Sequence, residues 1–118
     1  MKIPGPDHPI TITPNPKEVR IEIDGKVIAR SKRALSLRES SYPAVQYIPR
    51  EDVDQSVLMR TTSSTHCPYK GDASYWTIAV DAKTLENAVW SYEEPFPAME
   101  QIRGYMAFYT NKVKVTEV

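Results

Sequence analysis

A chain of 118 residues, 41% apolar and 25% charged, has the length of one ordinary globular domain. It can bury roughly two thirds of its unfolded surface, so no staple of metal or disulfide is needed, and its one cysteine, Cys67, excludes an intrachain disulfide and a zinc ligand set. Fifteen basic residues balance fifteen acidic ones, and a net charge of zero excludes the whole-molecule field that draws a protein to nucleic acid or anionic lipid.

The first residues, MKIPGPDHP, carry proline and charge where a signal peptide needs an apolar run. No stretch approaches the roughly 20 apolar residues of a membrane span, so the reading is a cytoplasmic protein. Five prolines between Pro4 and Pro16 hold the start extended. Residues 1–17 are read as a proline-rich arm, either an edge segment along the body, with Ile10 and Ile12 alternating, or a disordered tail, and 18–118 as a single β domain.

Glu18 to Ser31 (EVRIEIDGKVIARS) is the strongest local signal: two β-branched runs separated by Asp24-Gly25, a dipeptide suited to a type I′ turn. Pairing Ile23 with Lys26 sets Ile21 opposite Ile28 and gathers Val19, Ile21, Ile23 and Ile28 on a core face, with Val27 and Ala29 on the other. Residues 34–39 and 44–48 read as two more strands about a Ser40-Ser41-Tyr42-Pro43 breaker. Pro49 followed by Arg50, Glu51 and Asp52 suits a short helical turn, because proline and acids favour a helix start. Residues 57–61 read as a strand, and residues 62–72 (TSSTHCPYKGD) as a polar turn-forming stretch. ASYWTIAV and NAVWSY are strands about a connection at 81–86, and AMEQIRG is a short helix ended by Gly104. Residues 105–110 and 113–118 would pair about Asn111-Lys112. The expectation is a mainly β fold, one antiparallel barrel or sandwich of about eight short strands with one or two helical turns.

Thr65-His66-Cys67-Pro68-Tyr69-Lys70-Gly71 concentrates a hydroxyl, an imidazole, a thiol, a phenol and an amine in one segment, followed by a glycine that lets backbone approach a ligand. A thiol beside Lys70 or a protonated His66 becomes a reactive thiolate. A lone cysteine is more often a small buried hydrophobe, and Pro-Tyr-Lys-Gly is good turn chemistry in its own right. Trp76 and Trp90, with Tyr75 and Tyr92 close by, suit a pocket wall or a core. Glu51, Asp52 and Asp54 read as a solvated helix start. One cysteine and two distant histidines, His8 and His66, make a poor metal set, so neither metal nor cofactor is expected.

GPDHPITI, IARSKRALSLRES, the Tyr47 to Val53 run, THCPYKGDASYW, NAVWSYEEP and IRGYMAFY together resemble a bacterial, fungal and plant family of small β domains of unknown function, some of whose members carry a nucleotidyltransferase label. The resemblance covers nearly the whole chain. It implies that Glu39, Tyr47, Thr65, Cys67, Lys70, Gly71, Trp90 and Tyr92 form one neighbourhood. Gln46 departs from the second aromatic expected before Tyr47. The Gly-Ser loop and spaced aspartates that nucleotidyl transfer uses to hold magnesium and triphosphate are absent from the sequence.

The function read from these residues is a small-molecule binding domain for an anionic or planar ligand, with Lys70 as its charge and Trp90 and Tyr92 as its apolar wall. An enzyme using Cys67 or Lys70 with Glu39 is the alternative, and a structural or protein-interaction module the third reading. The partner expected is a small molecule, without nucleic acid or membrane, for a monomer or homodimer.

Overall fold

Asp24 and Gly25 take φ of 48° and 84°, so both centres of the turn have the left-handed backbone that joins two twisted strands in two residues. They join β2 (Val19–Ile23) to β3 (Lys26–Ser31) in a computed structural model that describes residues 1–118. The other strands are β1 (Ile10–Pro14), β4 (Leu35–Glu39), β5 (Val45–Tyr47), β6 (Leu58–Cys67), β7 (Gly71–Val80), β8 (Lys83–Ser91), β9 (Met106–Phe108) and β10 (Lys114–Glu117). All pairing is antiparallel, in three sheets ordered β1-β4-β5, β10-β2-β3 and β6-β7-β8-β9. Three 3-10 turns, Arg50–Asp52, Gln55–Val57 and Pro97–Ile102, connect them. The fold is mainly β as expected, but with ten strands instead of about eight, and the sheets do not close into a barrel.

Four local expectations are corrected. The β2–β3 ladder starts in the expected register, Ile23 with Lys26, then shifts so that Ile21 faces Ala29. One extra residue in β3 turns both Ile28 and Ala29 inward, at 1% and 3% exposure, where strict alternation puts Ala29 outside. The polar stretch after Thr61 is not a turn: β6 runs unbroken to Cys67, and the reversal is confined to Pro68-Tyr69-Lys70. Threonine suits a strand, and β6 is an edge strand with mostly exposed side chains, so polar composition there signals solvent instead of a loop. The connection at 81–86 shrinks to Asp81-Ala82, with φ of 54° at Asp81. The last two strands do not pair with each other: β9 pairs with β8, whereas β10 pairs with β2. Phe108 and Val113 still share one core, the one lined by β2 and β7.

The β6–β9 sheet has a core on each face. Along β7, Ala73 and Tyr75 enter one cluster and Trp76, Ile78 and Val80 the other. In β9, Met106 and Phe108 face one side and Ala107 the opposite one. The face toward β2 and β3 holds a mostly aliphatic core built around Val19, Ile21, Ile28, Ile78 and Val89. The face toward β4 and β5 holds a smaller cluster rich in tyrosine: Leu37, Tyr47, Tyr75, Tyr92, Met99 and Ile102. The chain ahead of the body is ordered against it. β1 pairs with β4, Ile10 opposite Glu39, and Lys2 N–H donates to Pro68 O at 2.7 Å. No helix is long and apolar enough to cross a membrane.

A candidate binding cleft over the tyrosine core

Tyrosine rings bury well but carry a hydroxyl that needs a partner when it is buried. Above this cluster lies a cleft of about 280 Å³, lined by Leu37, Glu39, Tyr42, Pro43, Val45, Tyr47, Lys70, Tyr75, Trp90, Tyr92 and Tyr109. β4 delivers Glu39 at its end, the β6–β7 turn delivers Lys70, and β8 delivers Trp90 with Tyr92 just beyond it.

Five of the eight residues expected to form one neighbourhood line this cleft: Glu39, Tyr47, Lys70, Trp90 and Tyr92. The other three stand behind it. Thr65 Oγ1 shares a 2.8 Å hydrogen bond with the Tyr75 hydroxyl, which in turn lies 3.4 Å from that of Tyr109. Cys67 is half-buried against the tyrosine cluster, with Sγ 3.8 Å from Lys70 Nζ. Gly71 has φ of 114°, and a Cβ there would stand 3.5 Å from Glu94 O and Phe96 N. It allows the strand to leave the turn in a conformation other residues avoid.

Lys70 is 7% exposed and its ammonium donates to Glu39 Oε1 at 2.5 Å. The second carboxylate oxygen of Glu39 accepts from His8 Nε2 at 2.7 Å, which leaves Nδ1 facing Ser40 Oγ at 3.3 Å. His8 lies flat on Tyr69, ring centres 4.1 Å apart and planes 7° from parallel. The arm therefore holds Glu39 from outside while the turn holds it from within. Burial pushes the Glu39 carboxyl up, but the hydrogen bonds from Lys70 and His8 outweigh it and keep the group below the usual glutamate range. The lysine charge expected to face a ligand is thus already neutralised by its neighbour.

The walls are neutral donors. Burial drives the Tyr47 and Tyr92 hydroxyls well above the usual tyrosine value, and burial with the hydrogen bond to Tyr75 pushes Tyr109 up to about 12. Trp90 Nε1 donates to the Tyr47 hydroxyl at 3.2 Å, edge to face, and its ring leans on Tyr109 with centres 4.6 Å apart. Tyr92, 7% exposed, makes no side-chain hydrogen bond within the chain although it lines the cleft.

Other sequence candidates are used elsewhere. Trp76 packs in the aliphatic core, with the guanidiniums of Arg50 and Arg60 over its ring at 5.1 and 5.3 Å. His66 pairs with Asp72 at 2.7 Å on the exposed side of the sheet. Asp52 accepts from Ser31 and Arg33, and Asp54 caps the next turn through Ser56 N–H. Three site residues escaped the sequence reading: His8, Tyr42 and Tyr109. For His8 a signal existed, since an arm that lies along the body carries its polar residues onto it; for Tyr109 none did, because its position follows from β9 joining β8.

Fold and site together describe a small antiparallel β protein with an aromatic cleft closed at one end by a lysine–glutamate pair. The chain belongs to the family described as Domain of unknown function (DUF427), matched over residues 11–118. No curated protein matches the chain.

Proposed function

We propose that the protein is a binding module for a small planar ligand, taken between the rings of the cleft and oriented by the Tyr92 hydroxyl. The observation that carries this is a tyrosine more than nine-tenths buried, lining a cavity, with no hydrogen-bond partner in the chain. That hydroxyl is unpartnered within the chain and opens on the cleft, so it is free to hydrogen-bond a ligand atom there. Six aromatic side chains favour a flat partner. The neutralised Lys70 favours a ligand whose buried part is uncharged, because an anion there would have to displace Glu39. A purely structural turn would bury the thiol and leave the lysine in solvent, whereas Lys70 is the more buried of the two.

Native mass spectrometry of freshly purified protein, followed by calorimetric titration with neutral aromatic rings such as indole and naphthol, tests the reading. A co-purified small molecule, or a ring that binds wild type about tenfold more tightly than Tyr92→Phe, supports it. No bound species and no ring binding overturns it.

A second reading, an enzyme using Cys67 or Lys70 with Glu39, is favoured by the 3.8 Å approach of Lys70 Nζ to Cys67 Sγ. It requires that Cys67 alkylate with iodoacetamide faster than a free thiol, and that Lys70→Met remove the excess rate.

A further inference from the structure

Beside the cleft lies a second cavity of about 700 Å³, and the two share Tyr42, Pro43, Val45, Trp90 and Tyr109 as lining. The shared residues border both, so the two cavities are lobes of one depression. Each lobe lies near or within the range of roughly 300–1,000 Å³ in which small-molecule sites fall.

Their electrostatics differ. In the small lobe the only cation, Lys70, is held by Glu39. The large lobe is lined by two cations, Lys17 and Arg38, and one carboxylate, Glu117. Glu117 accepts from Asn15 Nδ2 at 2.5 Å; the backbone N–H of Lys17 donates to Asn15 Oδ1 at 2.9 Å, but neither the Lys17 ammonium nor the Arg38 guanidinium takes part in any ion pair or hydrogen bond. Both cations are exposed, and they arrive from different parts of the chain: the segment after β1 and the last residues of β4. The Asn15 side chain, which also donates to Gln46 at 3.0 Å, ties the segment bearing Lys17 to the sheet bearing Arg38.

We infer that the ligand is bipartite: a planar ring in the tyrosine cleft joined to an anionic group, a carboxylate or a phosphate, that passes the shared border to Arg38 and Lys17. This rests on the planar-ligand reading and adds that the anion is bound in the large lobe, away from Lys70. Arginine offers a carboxylate or phosphate two parallel N–H groups, and a free lysine adds a second positive charge.

Calorimetric titration with matched probes tests it: indole against indolylacetate and indolyl phosphate, and naphthol against naphthoate and naphthyl phosphate. The expected result is that an anionic probe binds about tenfold more tightly than its neutral ring, the gain available from two solvent-exposed charges. Comparison of the carboxylate and phosphate arms tells which anion the lobe takes. The gain should shrink as salt is raised. It should vanish in Arg38→Gln/Lys17→Gln, which must still bind the neutral ring as wild type does. Neutral rings that bind with no gain from the anion, or a gain that survives in the double variant, overturn the inference and leave the planar-ligand reading standing. If neither neutral nor anionic probes bind, that reading falls and this one with it.

Discussion

The two faces of the β6–β9 sheet divide the work of the molecule. Toward β2 and β3 the inward residues are almost all aliphatic, the cluster has 17 buried members, and the indole N–H of Trp76 is its one polar side-chain donor. Toward β4 and β5 the cluster has 8, three of them tyrosines, and its edge is a cleft. One face gains its stability from close packing of branched side chains. The other uses rings whose hydroxyls need partners, and it leaves space where a partner is missing. Two tryptophans mark the contrast: Trp76 is sealed in the first core, whereas Trp90 is half-buried and looks into the cleft.

The comparison breaks if truncation on the aliphatic face is cheap. Ile78, at 0% exposure, contacts that core on all sides, so Ile78→Ala should cost about 2–5 kcal/mol in urea unfolding. The ring-facing lobe should be untouched, and a retained probe affinity in the folded variant would show that the faces are independent.

At the cleft the expected losses are smaller and of another kind. Lys70→Met keeps the aliphatic stem but leaves the Glu39 carboxylate with His8 alone, and should cost about 1–3 kcal/mol. Adding Glu39→Gln should recover part of that loss, because a buried pair is costly mainly when one partner is removed. Strict additivity of the two single changes in a double-mutant cycle would show that the short contact does not couple them.

The same pair should show in acid. The Glu39 carboxyl titrates below its unfolded value, so the unfolded chain binds the proton more readily. Its stabilisation is complete above the ordinary glutamate value, about 4.3, and fades as pH falls through the lower folded value. Several other carboxylates are also held low, including Glu18, Asp52 and Glu93. The measurement is therefore the difference between wild type and Glu39→Gln in unfolding midpoints from pH 6 down to 3. The wild-type curve should fall more steeply, and parallel curves would refute the assignment.

The smallest effect on stability should be the most telling for function. Tyr92→Phe removes a hydroxyl that no group in the chain accepts from or donates to, so stability should stay within about 1 kcal/mol or rise slightly, while ring binding weakens. A loss as large as that of Ile78→Ala would place the Tyr92 hydroxyl in the structure's own bonding and remove the argument for a ligand.

Much of the strand pattern was legible because its determinants are local. Asp24-Gly25 can turn only one way, and β-branched runs at period two declare strands whatever they later pack against. So the mainly β class, the first hairpin, Arg50–Asp52 and the strands bearing Tyr75 and Trp90 were all in the sequence. What period two cannot reveal is an inserted residue, which is why Ala29 was placed outside, or an edge strand made of threonine and serine, which is why β6 was cut short. Of the site, the segment from Thr65 to Gly71 announced itself by crowding a thiol, an amine and a turn into seven positions. Only the tertiary structure decided what faces them. His8 meets Glu39 because β1 pairs with β4, and Tyr109 meets Trp90 because β9 turns to β8 instead of β10. Such meetings depend on which faces of distant strands are buried together, a property of the whole packed sheet that no local spacing encodes.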